Sequence, residues 1–285
     1  MRQRYGLAIG NIVHATDFSH GSDVAFAHAL RLSVDAKGEL EILHVDRDDA
    51  EKPDWDSYPS VRDTLADWNL IPQSSPKSAV AKLGVHISKS ACKGDETAAR
   101  ILEHIENRDA ELVVMATHQR KGIDRLVHSS LAEKVSAESD AAALLIPYNV
   151  DGFVDLQTGE VSLQRVLLPV NRTPSPQAAV ELIGQLVDTI ASETVEVKLL
   201  HVGDPADMPS LTFPTSEKCK WTWDSRVGDV TEEICNYATE FDIDLIAMTT
   251  KGHDGFLDIL RGSTTERVLH EATCPVLSVH ESSNR

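Results

Sequence analysis

The sequence contains no apolar run that approaches the roughly 18 residues of a membrane-spanning helix. Its four cysteines, Cys92, Cys219, Cys235 and Cys274, show neither CxxC spacing nor the density of a disulfide-stapled secreted domain. We therefore expect no membrane segment, no disulfide framework and a location in the reducing cytoplasm.

Positive charge is also scarce. The chain has 27 Lys plus Arg against 45 Asp plus Glu, which gives a formal net charge of −18. This charge opposes attraction to phosphate backbones, so we expect no binding to nucleic acid or to anionic membranes. The 285 residues, 41% hydrophobic and 25% charged, are enough for about two folded domains.

An internal repeat organises the chain. Residues 116–135, ATHQRKGIDRLVHSSLAEKV, align without a gap on residues 249–268, TTKGHDGFLDILRGSTTERV. Further upstream, IVHATDFS (12–19) matches LLPVNRTPS (167–175), and LEILHVD (40–46) matches VKLLHVGD (197–204). In both copies, short apolar runs alternate with helical patterns, which is typical of parallel βαβ units.

The repeat predicts two doubly wound, open parallel-sheet domains of the α/β class. We place them at residues 1–150 and 165–285, joined by a linker at 151–164 that holds two glycines and polar turn residues. His44 and Gly94 are 50 residues apart, whereas His201 and Gly228 are 27 apart, so the second copy is 23 residues shorter here. The longer interval contains SVRDTLADWNLI, a predicted helix, and we expect the second domain to lack this covering helix.

These motifs resemble the universal stress protein family, in the tandem form in which one chain holds two such domains. The resemblance rests on ATDFS, LHV, MATHQRKGIDRLVHSSLAEKV and ATCPVLSV, and it covers nearly the whole chain. It implies adenine-nucleotide α-hydrolase-like open sheets, paired through their last strands as an internal pseudo-dimer, with a homodimer as a further assembly. It also implies that ATP-binding members carry a Gly-x2-Gly-x9-Gly-Ser/Thr loop.

The second copy fits three positions of that loop. Thr249 takes the place of its first glycine, while Gly252, Gly262 and Ser263 match. Glycines are needed there because backbone amides approach phosphate closely only where side chains are absent. With the base-binding positions carried over from the family, the predicted nucleotide site comprises Pro169, Val170, Asn171, Val202, Met248, Thr249, Gly252, Gly262, Ser263 and Thr264. Mg²⁺ would accompany the nucleotide only, and we predict no other metal.

The first copy has lost the loop but keeps the family's base-binding aspartate, Asp17. Asn171, its counterpart in the second copy, retains an acceptor oxygen without the charge, so its contact with an amino group would be weaker. No pattern glycine remains in the first copy. Its degenerate site comprises Thr16, Asp17, Val45, Ala116, Gln119, Ser129 and Ser130.

Structural roles compete with each of these assignments. Ser130 with Glu133, and Ser263 with Glu266, form the pattern of a capping box, which satisfies helix amides without a ligand. A cap of the first helix is the corresponding alternative for Asp17.

Two further alternatives concern chemistry. His14, Asp17, His44 and His118, with Cys92, are residue types that bind zinc, although no short ligand spacing links them. An enzyme needs a nucleophile paired with a base, and Ser263 and His270 are better explained as a helix cap and a surface helix residue.

We therefore expect a stress-response regulator rather than an enzyme, although slow ATP hydrolysis stays open. Its C-terminal domain would bind an adenine nucleotide, and an unidentified protein would be its partner. The alternative is a non-nucleotide module that binds a lipid-like ligand or another protein.

Overall fold

The computed structural model describes residues 9–46, 55–56, 58–117, 130–251 and 263–281. Predicted site residues Gly252, Gly262, Gln119 and Ser129, together with His118, lie outside these ranges. In the described part of the chain, no helix is both long and apolar enough to span a bilayer.

The first half alternates strands and helices as the repeat predicts. The helix predicted from SVRDTLADWNLI forms at residues 61–67. Helix 97–107 buries Ala98, Ile101 and Ile105, the spacing that places apolar side chains on one helical face. The elements are β1 Asn11–Thr16, α1 His20–Ala36, β2 Glu39–Asp46, α2 Val61–Asp67, α3 Ser78–Ala81, β3 His86–Lys93, α4 Thr97–Asn107, β4 Leu112–Thr117, α5 Leu131–Glu138 and β5 Ala142–Pro147.

The second half repeats this order with fewer helices. Between its second and third strands there is one turn of 3-10 helix, Pro205–Asp207, where the first half has two α-helices. The elements are β6 Arg165–Pro169, α6 Gln177–Ile190, β7 Val195–Val202, β8 Cys219–Arg226, α7 Val230–Glu240, β9 Leu245–Thr250, α8 Thr264–Glu271 and β10 Val276–His280.

All these strands form one ten-stranded sheet, in the order β3-β2-β1-β4-β5-β10-β9-β6-β7-β8. Within each half the strands are parallel, and the halves meet where β5 and β10 pair antiparallel, with Val276 opposite Leu145 and Ser278 opposite Ala143. The predicted pairing of the two last strands is therefore confirmed. It satisfies backbone groups that two separate sheets would leave exposed at their edges.

A hydrophobic core covers each face of the sheet, and each core spans both halves. On one face α1 and α6 contribute Phe26, Leu30 and Ile183. On the other face α4, α5, α7 and α8 contribute residues such as Ile101 and Tyr237. Since the halves share both cores, we expect them to unfold together.

An extended segment takes the place of the missing helix. The side chain of Gln177, at the start of α6, donates to the carbonyl of Thr212 (2.8 Å) and accepts from its amide (3.0 Å). Further along, Pro214 lies so close to Gly184 that a Cβ there would approach the ring to 2.4 Å. This segment therefore covers part of α6 in place of the missing helix.

We expect Gln177→Ala to lower the free energy of unfolding by about 1–2 kcal/mol, because two hydrogen bonds to the Thr212 backbone are lost. Urea unfolding measures the change. Gln73→Ala, which removes an exposed side-chain hydrogen bond to Asp67, is the control and should cost under about 0.5 kcal/mol. Equal effects of the two substitutions would contradict the docking of this segment.

The predicted linker packs against the first half. Phe153 and Val154 are both 1% exposed, and their amides donate to Nε2 of His28 at 3.0 and 3.2 Å. The indole of Trp68 donates to the carbonyl of Leu156 at 3.1 Å. The segment between the domains is thus part of the first half's core rather than a loose tether.

Candidate functional site

Two equivalent pockets lie at the carboxyl ends of the strands, one in each half. We call them the N-terminal pocket, built by β1, β2, α4, β4 and α5, and the C-terminal pocket, built by β6, β7, α7, β9 and α8. This edge of an open parallel sheet is where ligands bind in doubly wound folds. The repeat therefore predicts the position of both pockets.

The C-terminal pocket has a volume of about 290 Å³. Apolar side chains from four elements, β6, β7, α7 and β9, contribute to its walls, and hydroxyl side chains at the start of α8 also line it. Its described lining residues are Pro169, Val170, Asn171, Thr173, Pro174, Leu200, Val202, Val230, Ile234, Met248, Thr249, Thr250, Lys251, Ser263, Thr264 and Thr265. The pocket thus brings together every described member of the predicted nucleotide site.

The N-terminal pocket has about half that volume, about 140 Å³. Its described lining residues are Ala15, Thr16, Asp17, Ser22, Leu43, His44, Val45, Thr97, Ile101, Met115, Ala116, Thr117, Ser130, Leu131 and Ala132. Every described member of the predicted degenerate site is among them.

The two pockets differ in charge and in one bulky residue. Lys251 lines the C-terminal pocket, and no carboxylate is among the described residues around it. Asp17 lines the N-terminal pocket, whose described lining includes no lysine or arginine. Leu131 stands at the start of α5, where α8 has the smaller Thr264. An anionic ligand is therefore favoured in the C-terminal pocket.

The serines that open α5 and α8 are helix caps, as the capping-box alternative predicts. Ser130 Oγ accepts from the amide of Glu133 (3.2 Å), and the Glu133 carboxylate accepts from the Ser130 amide (2.9 Å). Ser263 Oγ accepts from the amide of Glu266 (3.1 Å). The first amides of each helix still face its pocket end, where the helix dipole favours negative charge.

Asp17 and Asn171 both take part in local turns. Asp17 Oδ1 accepts from the amide of Ser19 (3.0 Å) and from its hydroxyl, while Asn171 Oδ1 accepts from the amide of Arg172 (2.8 Å). Ser19 itself is the residue before α1. Asp17 thus orders the turn before α1, but it does not cap that helix, whose N-cap residue is Ser19.

Thr249 carries an unsatisfied hydroxyl. Its Oγ1 is buried and has no hydrogen-bond partner within the described part of the chain, whereas the hydroxyl of Thr250 bonds Nδ1 of His280 at 3.1 Å. A buried hydroxyl without a partner is costly. In the first half this position is Ala116, which has no such group. Thr249 therefore adds the bulk that the loop pattern excludes, together with a buried hydroxyl that has no described partner.

The sequence profile of the Universal stress protein family matches residues 8–147 and 216–280, together more than half of the chain. The chain belongs to the universal stress protein family. A curated relative is universal stress protein A homolog 1 of Coxiella burnetii (strain RSA 493 / Nine Mile phase I), 26% identical over a 141-residue alignment that covers 41% of this chain and 95% of that protein.

Two solved structures share the tandem architecture. A universal stress protein from Archaeoglobus fulgidus DSM 4304 has a TM-score of 0.64 at 17% identity, covering 98% of this chain and 100% of that one. A functionally unknown protein from Pseudomonas aeruginosa PAO1 has a TM-score of 0.63 at 12% identity, covering 96% and 94%. At these identities the likeness shows the fold alone, and two tandem domains are consistent with the two segments that the family profile matches.

The predicted rival zinc set of this universal stress protein is not assembled among its described members. His14 is fully buried, with Nδ1 3.0 Å from the carbonyl of Val114 and Nε2 2.8 Å from the hydroxyl of Tyr58. His44 uses Nδ1 on the carbonyl of Thr16 (2.8 Å) and Nε2 on Asp46 (2.9 Å). Both ring nitrogens of each imidazole are therefore engaged by protein atoms rather than available to a metal.

Burial also weakens Cys92 as a candidate ligand of that set. Desolvation raises the pKa of its thiol, which disfavours the thiolate that binds metal. His118, the last member, lies outside the described residues.

Sequence reasoning missed several walls of the C-terminal pocket. Val230 and Ile234 of α7 line it, as do Thr173 and Pro174 in the turn after β6. In the sequence the two α7 residues are indistinguishable from ordinary core positions of an amphipathic helix. The structure shows the same arrangement in the first half, where Thr97 and Ile101 line the other pocket at the equivalent positions of α4.

Proposed function

We propose that this universal stress protein is a regulatory protein whose C-terminal pocket binds an adenine nucleotide. The observation that carries the proposal is the asymmetry of the two pockets. The C-terminal one has twice the volume, a lysine and an unsatisfied hydroxyl, whereas the N-terminal one has a carboxylate. Occupancy of the C-terminal pocket would change the surface that the protein presents to a partner.

The base would lie against the apolar walls. Val202, Ile234 and Met248 offer flat hydrophobic surface, and a purine gains by removing that surface from water. Asn171, at the entrance, has an amide that both donates and accepts, which suits the amino group and ring nitrogen of adenine. This end of the pocket would provide orientation, because a neutral amide bonds less strongly than a carboxylate.

The phosphates would point to the start of α8. Thr264, at the start of α8, and Lys251 both line the pocket, so the first turn of the helix and an ammonium group would be available to a phosphate. Phosphate at a helix N-terminus is stabilised by the aligned backbone dipoles. We place Gly252 and Gly262 in this part of the site as a prediction from the sequence.

We infer that the protein binds the nucleotide without turning it over. Ser263, a serine in the lining of the C-terminal pocket, is engaged as a helix cap. Hydrolysis would further require a carboxylate that holds Mg²⁺ and a positioned water. The described lining of the C-terminal pocket supplies no such carboxylate.

A second candidate function is binding of a lipid-like molecule or of a protein. The apolar walls suit an acyl chain as well as a purine. At the sheet edge formed by β8, Trp223 is 41% exposed and Val227, just beyond the strand, is 85% exposed, which favours a protein contact. Native mass spectrometry of freshly purified protein distinguishes these ligands by the mass that co-purifies.

Isothermal titration with ATP, ADP and AMP tests the proposal. We expect one nucleotide bound per chain. The release of inorganic phosphate, measured in the same samples, reports any hydrolysis. Failure to bind at millimolar nucleotide would contradict the proposal. Turnover that survives Gly262→Gln, a change designed to block the loop, would show that the activity comes from a contaminant.

A further inference from the structure

A mixed cluster of metal-binding side chains lies where the two halves meet, apart from both pockets. Glu133 of α5 belongs to the first half, and Glu266 and His270 of α8 belong to the second. One ligand atom from each of the three lies within 4.8 Å of the other two. The side chains of Glu133 and His270 are only 7% and 9% exposed.

The repeat explains why two carboxylates meet here. Each glutamate is the third residue of its helix, and the pairing of β5 with β10 brings the two helices together; in α5 the glutamate also completes a capping box. Glu133 gives one oxygen to the Ser130 amide (2.9 Å), and its other oxygen lies 3.5 Å from Nε2 of His270. The first half has Ala137 at the position of His270, so the cluster contains a single imidazole.

His270 is thus not the surface residue that its sequence pattern indicates. It is held between carboxylates at a buried contact between helices. Two carboxylates in such a place repel one another and lose hydration, so a positive charge between them is favoured.

We propose that Glu133, Glu266 and His270 bind a zinc ion that joins the two halves. An imidazole among the ligands disfavours Mg²⁺ and Ca²⁺, which prefer oxygen alone, whereas zinc accepts nitrogen and carboxylate oxygen together. Metal–ligand bonds of about 2.0–2.1 Å in a tetrahedron place ligand atoms about 3.3 Å apart. The His270–Glu133 distance of 3.5 Å already approaches this value, and a rotamer change of a glutamate side chain would complete the set.

Such an ion would connect the two pockets structurally. Ser130 and Ser263, which open the helices carrying the glutamates, line the N-terminal and C-terminal pockets respectively. Zinc bound one turn further along would fix the starts of α5 and α8 relative to one another. We assign it a structural role, since the chemistry here is the neutralisation of two carboxylates across the contact between halves.

Zinc binding to the full chain, stripped with EDTA, tests this inference without nucleotide. We expect one Zn²⁺ per chain by metal analysis after desalting, a rise of several degrees in the melting temperature, and at least tenfold weaker binding for Glu266→Gln and His270→Gln. Gln at the third helical position still serves a capping box, so Glu266→Gln should fold if His270→Gln does not.

Two controls match these changes. Glu138→Gln removes the same charge from α5 outside the cluster, and His20→Gln removes an imidazole that is 84% exposed. Both should bind zinc like the parent chain. If the parent binds no zinc at 100-fold excess over protein, or if Glu266→Gln binds it as well as Glu138→Gln, the cluster is an ion pair only and the proposal is wrong.

Discussion

The free energy of unfolding should fall by about 6 kcal/mol between pH 7 and pH 4 through two histidines alone. His14 and His28 are both fully buried, and desolvation lowers the pKa of each from 6.5 to about 4. Each unit of pKa shift corresponds to about 1.4 kcal/mol, so each histidine contributes about 3 kcal/mol over this range. The unfolded chain binds these protons first, and therefore stability present above pH 6.5 is lost as the pH falls towards 4.

The hydrogen bonds of His28 show why it must stay neutral. Its Nδ1 donates to the carbonyl of Val24 (2.8 Å), and its Nε2 accepts from the amides of Phe153 and Val154. A proton on Nε2 would turn that acceptor into a donor facing two donors. Acid should therefore detach the segment 151–164 from α1 as part of unfolding.

Denaturant unfolding at several pH values measures this dependence. His28→Gln should lose about half of the pH dependence, whatever its stability at pH 7, because one of the two titrating groups is gone. His20→Gln, which changes an exposed imidazole, should keep the parent's slope. Burial also raises the pKa of Asp35, so the folded chain binds this proton at a higher pH than the unfolded chain does. Protonation of Asp35 therefore adds stability as the pH falls, which partly opposes the effect of the histidines. A slope in His28→Gln equal to the parent's would contradict the assignment.

The repeat predicted the fold because local patterns and pairing rules sufficed for it. Short apolar runs such as ELVVM and AALLIP identified β4 and β5. The exposed edge of the last strand of a domain required a partner strand, and β10 supplies it for β5. The helix of residues 61–67 followed from its apolar spacing. These features depend on neighbours in sequence or on general properties of sheets.

The features that sequence reasoning missed depend on contacts between distant residues. Thr212 docks on Gln177 across 35 positions, and His28 binds the amide of Phe153 across 125. In the sequence, His270 has the position of a surface residue on an amphipathic helix. In the structure, its side chain is 9% exposed and lies 3.5 Å from Glu133 of the other half. The candidate site was also predicted only in part. The repeat located Met248 and Thr249, but it did not reveal that Val230 of α7 forms part of the pocket wall.

Substitution of Val230 by Trp should weaken nucleotide binding by about 100-fold or more. Val230 lines the C-terminal pocket and is 39% exposed at the first position of α7, so a larger side chain can enter the pocket without displacing the core. An indole there would occupy volume that the base needs. A 100-fold loss corresponds to about 2.7 kcal/mol of binding free energy.

Thr97→Trp is the matched control, because Thr97 is the first residue of α4 and lines the N-terminal pocket at the equivalent place. We expect it to leave the affinity unchanged, and circular dichroism should show both variants folded. Lys251→Glu provides a second test, which changes charge rather than blocking the pocket. It should weaken the binding of ATP more than that of AMP, since the added repulsion grows with the charge of the phosphates. Equal losses in the two Trp variants would place the nucleotide outside the C-terminal pocket. An unchanged ATP affinity in Lys251→Glu would mean that the phosphates do not approach the start of α8.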